Sequence, residues 1–207
     1  MDFTFQGVNM DFRDIFYTYA VDREGYRTVV YADIKGYPTV GVGHLVTAAD
    51  GLSIGDVITD EQVLNLFYDD YAAMNIDSYV EEGADNYNQG LAIAHFIWGH
   101  GAADYDSSQL RQHIINGDLD LNGMINYLNS NWDLSSPSNQ KVNNYDFTVY
   151  YSDTPWQPSK SLAYYFSQIK NIVQEHPITS LVIAGSVGLA LSVYLAIVIK
   201  KIIKKGK

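Results

Sequence analysis

The chain has 207 residues, a formal net charge of -11 and no cysteine. This length suits one domain of about 150 residues with an appendage, and the lack of cysteine excludes disulfides, thiol catalysis and thiolate metal sites. Residues 1–177 carry 24 acidic but only eight basic side chains, so we expect no nucleic-acid partner.

The first elements are a helix and a small hairpin. The N-terminus has no basic region followed by an apolar run, so it does not resemble a secretory signal. The apolar spacing predicts an amphipathic helix over 11–22. Two β-rich runs follow, at 28–31 and 39–42, and the segment between them contains Gly and Pro. This pattern predicts a β-hairpin.

Helices follow the hairpin. Thr59 and Gln62 have the spacing of a capping box and predict the start of a helix. The run 91–101 is apolar almost all round, which is typical of a central buried helix. The predicted fold class is therefore α+β and mainly helical, with a small β-hairpin lobe and a helical lobe.

A transmembrane helix is predicted near the C-terminus. Residues 178–199 contain no charge, and a hydrocarbon core requires about 20 helical residues. The alternative is a buried core helix. The basic tail 200–207 suits anionic lipid headgroups. Small residues recur at every fourth position and predict a face for self-association or for virion proteins. They are Ala184, Gly188, Ser192 and Ala196.

These patterns divide the chain into four parts. We predict a domain over 1–148, an aromatic linker and amphipathic stalk over 149–177, the membrane span over 178–199 and the tail over 200–207. The lysines favour a body outside the cell, whereas the missing export signal favours the cytoplasm. Delivery by a virion removes this conflict. The predicted location is a virion membrane or the host inner membrane.

Three polar residues around the hairpin are candidate catalytic groups. Glu24 ends the first helix, Asp33 lies in the turn and Thr39 opens the returning strand. Hydrolysis of a glycosidic bond requires an acid for the leaving oxygen and a second carboxylate. A hydroxyl can hold the attacking water. The same spacing is compatible with a capped helix end and an Asx turn, so the spacing by itself leaves both readings open.

The segment EGYRTVVYADIKGYPTVGVGH, residues 24–44, closely resembles the catalytic segment of the phage T4-type lysozymes, or endolysins. The resemblance extends over about residues 11–133. It implies a lysozyme-like fold and a muramidase that cuts the bond from N-acetylmuramic acid to N-acetylglucosamine in bacterial peptidoglycan, with inversion. Glu24 is implied as the acid, Asp33 as its partner and Thr39 as the water-holding residue.

The resemblance also suggests supporting residues. Tyr37 and Gly43 are expected to bind substrate. At Gly43 the absence of a side chain lets a sugar approach the backbone. His44 and Asp70 are expected to form a structural pair. We predict no cofactor and no metal, since His95 and His100 are five residues apart and lie off a common helical face.

Two positions depart from the family pattern. Gly99 replaces an Asn in the central helix, and we expect it to loosen that helix. A basic residue expected beside the catalytic Glu is replaced by Ser138, Asn139 or Gln140. Losing that cation should raise the pKa of Glu24.

The leading hypothesis is a membrane-anchored muramidase that opens the cell wall during phage entry or release. One alternative is a non-catalytic wall-binding or virion structural protein that has kept the fold, as the acidic body suggests. Another is a holin or channel, but a single span after a whole enzyme-like domain is not typical of that class.

Overall fold

The structure, a computed structural model, describes the backbone of residues 2–5, 8–131 and 137–159 and the side chains of residues 11–131 and 144–159. Within these ranges it has five strands and eight helices. The strands are β1 (Asp2–Phe5), β2 (Val8–Asp11), β3 (Arg27–Ala32), β4 (Pro38–Gly41) and β5 (His44–Leu45). The helices are α1 (Phe12–Glu24), α2 (Asp60–Ala73), α3 (Ile76–Gly83), α4 (Tyr87–His100), α5 (Ala102–Ser107), α6 (Gln109–Asn116), α7 (Leu121–Asn131) and α8 (Pro137–Tyr150).

Helix α1 joins the two lobes and determines where Glu24 lies. It begins where the Asp11 carboxylate accepts a hydrogen bond from the Arg13 N–H at 3.0 Å. It ends at Gly25, whose φ of 87° is favourable only for glycine. The predicted helix over 11–22 is confirmed and continues two residues further. Glu24 is therefore its last residue.

The predicted hairpin is confirmed as β3 and β4, and β5 adds a third antiparallel strand that the sequence pattern did not predict. Between the pairs Arg27–Gly41 and Tyr31–Thr39, β3 advances four residues while β4 advances two. Such a bulge bends a strand. The bulged part of β3 bonds to the segment 55–58 instead, since the Val30 N–H donates to the Asp56 carbonyl at 2.9 Å.

Helix α4 is the centre of the helical lobe. Its residues 91–97 are all buried, as the apolar run predicted, and the helix starts earlier, at Tyr87. The Asn86 side chain caps it by accepting from the Gln89 N–H at 3.1 Å. It packs against α1, α3, α5 and α8. Side chains of α4 therefore reach α1 and α8 together. The capping box of Thr59 and Gln62 at the start of α2 is also confirmed.

The segment after α8 packs on the body. The Trp156 side chain is buried, and the backbone N–H of Trp156 donates to the Asn88 side-chain oxygen at 2.9 Å. The Asn88 amide in turn donates to the carbonyls of Ser152 and Thr154, each at 2.9 Å. Ser159 donates to the carboxylate of Asp22 on α1. The first part of the predicted linker is thus held against α1 and α4.

The predicted membrane span 178–199 and most of the stalk lie outside the described residues. Among the helices that the structure does describe, none combines the length and the apolar character needed to cross a bilayer.

Candidate active site

Glu24 presents a partly exposed carboxylate at the end of α1. Its side chain is 35% exposed, and Oε1 lies 2.9 Å from Nε2 of His95 on α4. The side chain therefore has one oxygen held by the helical lobe. Among the described residues, the hydrogen bond to this carboxylate uses Oε1 and not Oε2.

Asp33 closes the hairpin turn. Its Oδ1 accepts hydrogen bonds from the N–H groups of Lys35 and Tyr37, each at 2.8 Å. This is the Asx-type turn that the spacing allowed. Because both bonds use Oδ1, the turn does not occupy Oδ2. The structural and the catalytic reading of Asp33 are therefore compatible.

Thr39 lies in β4 beside this turn. It is buried, with 7% exposure, and its hydroxyl donates to the Tyr37 carbonyl at 3.2 Å. The same carbonyl accepts from the Asp33 N–H at 2.9 Å. A shared acceptor brings the Thr39 hydroxyl close to the backbone of Asp33. To hold an attacking water, the hydroxyl would accept from that water while it donates to Tyr37.

The two residues expected to bind substrate are exposed. The Tyr37 ring is 55% exposed at the tip of the hairpin. Gly43 has a φ of 91° in the turn between β4 and β5, so a side chain there would be strained. The indole N–H of Trp98 donates to the Val42 carbonyl at 3.1 Å and ties this turn to α4. The hairpin lobe and the helical lobe are thus joined beside Gly43.

His44 contacts two carboxylates. Its Nδ1 lies 2.7 Å from Oδ2 of Asp70, and its Nε2 lies 3.4 Å from Oδ2 of Asp50. The bond to Asp70 is the first cause that raises the pKa of His44, and Asp50 adds to it. The contact with Asp70 joins β5 to α2. Asp50 is a second carboxylate near His44, which the sequence pattern did not predict.

Sequence reasoning missed the partners of Glu24. His95 is buried between Glu24 and Asp146 of α8, with Nδ1 2.6 Å from the Asp146 carboxylate. Both side chains are 1% exposed. The sequence suggests His95 only as half of a metal pair with His100, which the helical spacing disfavours. A titratable residue on an apolar helix face signals a buried partner of opposite charge, but that signal does not say which carboxylate it is.

The expectation of a raised pKa for Glu24 is wrong. The hydrogen bond from His95 is the largest influence and holds the pKa of Glu24 below its usual value, against the opposing effect of burial. Burial by itself would lower the pKa of His95, but Asp146 and Glu24 outweigh it and raise the value to about 9. The cation beside Glu24 therefore comes from α4. The side chains of Ser138, Asn139 and Gln140 lie outside the described ones.

Gly99 does not interrupt α4, which continues through it to His100. Its surroundings are open, because a β-carbon there would meet nothing within 4 Å. Among the described residues, no group of three or more His, Asp or Glu side chains is placed to hold a metal ion.

The chain is similar to a known protein family. A family model described as phage lysozyme matches residues 21–143. The match starts just before Glu24, includes the hairpin with Asp33 and Thr39, and extends into α8. No curated protein matches the chain.

Proposed function

The chain belongs to the phage lysozyme family, and from this premise we propose that it is a muramidase. The bond cut is the glycosidic bond from N-acetylmuramic acid to N-acetylglucosamine in peptidoglycan. One observation carries the assignment of the acid. Oε1 of Glu24 is held by His95 at the end of α1, while the Glu24 side chain remains 35% exposed. Glu24 also directly precedes the bent strand β3, which leads to Asp33.

The proposed reaction uses two carboxylates in different roles. Glu24 transfers a proton from Oε2 to the leaving glycosidic oxygen as the bond to the anomeric carbon breaks. Asp33 accepts a proton from a water held by Thr39, and the water oxygen attacks the anomeric carbon from the opposite face. The configuration at that carbon is inverted, as in glycosidases whose carboxylates leave room for a water.

The lowered pKa of Glu24 determines how the free enzyme behaves. An acid must be protonated to act, and at neutral pH most Glu24 side chains carry their charge. A sugar bound in the site displaces water from the carboxylate, which favours its neutral form. We therefore expect the highest activity on the acid side of neutrality, with a rate that falls as pH rises.

The decisive experiment is digestion of purified peptidoglycan by the wild type and by Glu24→Gln. The amide cannot donate a proton, so turnover should fall by about two orders of magnitude or more while the fold is kept. The new reducing ends, identified by borohydride reduction and mass spectrometry, should be muramic acid. Glu81→Gln is the matched control, because Glu81 is an exposed glutamate on α3, and it should retain full activity.

Two results would contradict this function. Reducing ends on glucosamine would identify a different bond. A protein that binds peptidoglycan but releases no fragments at any pH, with Glu24→Gln binding equally well, would be a non-catalytic wall-binding protein with this fold.

The same proposal includes a membrane anchor at 178–199 and a role in a virion or in the host membrane. Its support is the uncharged length of that segment and the lysines behind it. Self-association through its small-residue face belongs to this part of the proposal. A tether would confine hydrolysis to wall within reach of the membrane.

A further inference from the structure

A chain of three charged groups crosses the helical lobe from α8 through α4 to α1. Asp146 contacts Nδ1 of His95 at 2.6 Å, and Nε2 of His95 contacts Glu24 at 2.9 Å. Exposure rises along this chain, because Asp146 and His95 are 1% exposed and Glu24 is 35% exposed. This series of three charged groups thus begins in the core and ends at the carboxylate proposed as the acid.

Asp146, the buried end of this series, is held firmly. The hydroxyl of Tyr19 donates to Oδ1 of Asp146 at 2.6 Å, while Oδ2 accepts from His95. Burial and the adjacent Asp146 raise the pKa of Tyr19 well above its usual value, so Tyr19 remains a donor. The Trp156 ring packs edge-on against Tyr19, with 4.9 Å between ring centroids. Asp146 therefore has both oxygens bonded in a dry environment, and the imidazole ring cannot rotate freely.

This orientation determines what lies between His95 and Glu24. Because Nδ1–H is directed to Asp146, a neutral imidazole would present the lone pair of Nε2 to Glu24. Two acceptors at 2.9 Å repel each other, so one proton must lie between Nε2 and Oε1. Either His95 is an imidazolium beside a carboxylate, or Glu24 is neutral and donates to the imidazole. Two neighbouring carboxylates favour the imidazolium.

We propose that His95, clamped by Asp146, is a positioning residue for the acid Glu24, and this rests on the function proposed above. The imidazolium holds Oε1, so that Oε2 is the oxygen directed to the leaving group. When the Oε2 proton moves to the glycosidic oxygen and the bond to carbon breaks, the negative charge formed on Glu24 lies 2.9 Å from a positive charge. His95 therefore makes Glu24 a stronger acid.

The same contact has a cost at higher pH. A stronger acid is protonated in a smaller fraction of molecules as pH rises, so His95 moves the pH range of activity towards acid.

Other titratable and charged groups face the cluster of Asp146, His95 and Glu24. From α1 these are Tyr19 and Arg23, whose Nε lies 3.7 Å from Asp146. From α8 it is Tyr145, whose ring lies 4.0 Å from the Arg23 guanidinium. The charge of Arg23 also favours the charged form of Glu24, but among the described residues His95 is the cation that lies within hydrogen-bond distance of Glu24.

The test compares the full-length wild type with His95→Asn, which keeps a hydrogen-bonding amide but cannot carry charge. Two quantities are followed. The first is the pH profile of kcat/KM on peptidoglycan, and the second is the titration of the Glu24 carboxyl by 13C NMR. Glu24→Gln identifies the Glu24 signal. We expect the alkaline limb and the NMR titration to move up together by about one pH unit, with a maximal rate about ten-fold lower.

The matched control is His113→Asn, which removes a half-buried histidine outside this cluster, paired with Asp118 at 2.9 Å. It should leave both curves in place. If His95→Asn lowers the rate equally at every pH and the titration of Glu24 does not move, His95 is only structural and the proposal is overturned.

A second measurement needs no variant. The 15N shifts of His95 in the wild type should show an imidazolium at pH 7, and a neutral imidazole there would overturn the proposal even if His95→Asn fails to fold. The two proposals fail separately. An inactive wild type would remove the muramidase function, while the Glu24 titration and the 15N shifts would still decide whether His95 controls the carboxyl.

Discussion

Three residues, Glu24, His44 and His95, carry much of the expected pH dependence of this molecule. The two histidines have pKa values raised above 6.5 in the folded state. Each therefore stabilises the fold fully below about pH 6.5, and that contribution is lost as pH rises through the folded pKa. Glu24 has a lowered pKa, so its contribution is present above about pH 4.5 and is lost as pH falls.

Asp70→Asn tests the pair with His44. The amide keeps the size but removes the charge that favours the imidazolium, so the free energy of unfolding should fall by about 1–3 kcal/mol near pH 5.5. The loss should shrink near pH 9, because His44 loses its charge as pH rises through its raised pKa. Thermal melting at the two pH values measures it.

Asp118→Asn is the matched control for Asp70→Asn. Asp118 also contacts a histidine, His113, but its side chain is 48% exposed and solvent screens the pair. It should cost less than about 1 kcal/mol. An equal loss from Asp70→Asn at both pH values would show that the charge of His44 contributes nothing to stability.

His95 makes a similar prediction at higher pH. Its folded pKa of about 9 means that stability should decline as pH rises from about 6.5 to 9, by at most about 3 kcal/mol. Urea unfolding across this range, compared between the wild type and His95→Asn, isolates the contribution. The variant should lack the decline, and parallel curves for the two proteins would contradict the prediction.

Helix α4 contains two glycines whose surroundings differ. A β-carbon on Gly90 would lie 2.9 Å from the Phe12 ring, so Gly90 lets α1 and α4 approach closely. A β-carbon on Gly99 would meet nothing within 4 Å. Gly99 therefore only adds conformational freedom to the unfolded chain.

Gly99→Ala should consequently stabilise the protein by about 0.5–1 kcal/mol. Gly90→Ala, the same change in the same helix, should destabilise it because Phe12 must move. Melting temperatures of the two variants measure the contrast. A loss of stability in Gly99→Ala would show that α4 is held in a conformation that alanine does not tolerate.

At the scale of the whole molecule, the segment 151–159 joins the C-terminal part of the chain to the catalytic body. Trp156 is 5% exposed, and its backbone is bonded to Asn88 and to Tyr87. Ser159 contacts Asp22, two residues before Glu24. Any tether that follows residue 159 therefore starts beside the end of α1.

Truncation separates this segment from the predicted anchor. A chain ending at Pro177 should fold and still digest purified peptidoglycan. A chain ending at Tyr150 should lose about 3–5 kcal/mol, the usual cost of removing a large buried aromatic side chain. Trp156→Ala in the longer chain is the matching point variant. Equal melting of the two truncations would show that Trp156 does not stabilise the body.

Fractionation tests the anchor itself. The full-length protein should sediment with membranes, resist high salt and alkaline carbonate, and be released by detergent, because a hydrophobic span does not depend on charge. The chain ending at Pro177 should remain in the supernatant. Release of the full-length protein by salt would mean that the lysines of 200–207 hold it only at the lipid surface.

The sequence by itself determined the local features of the body. Short-range patterns predicted α1, the hairpin with Asp33, the capping box at Thr59 and the buried helix α4, because periodicity, turn residues and caps act between neighbours in the chain. The motif of residues 24–44 also indicated the family, which the family match then established. The placement of Glu24, Asp33 and Thr39 on successive elements followed from the same local patterns.

Only the tertiary structure decided the electrostatics of the site. Asp146 is 51 residues from His95, and His95 is 71 residues from Glu24. No local pattern links residues so far apart, since their contact depends on how α1, α4 and α8 pack. Glu24, for which the sequence predicts the loss of a basic partner, therefore gains a cation from the central helix. Its pKa moves down instead of up because the hydrogen bond and the charge of His95, with a contribution from Arg23, outweigh the opposing effect of burial.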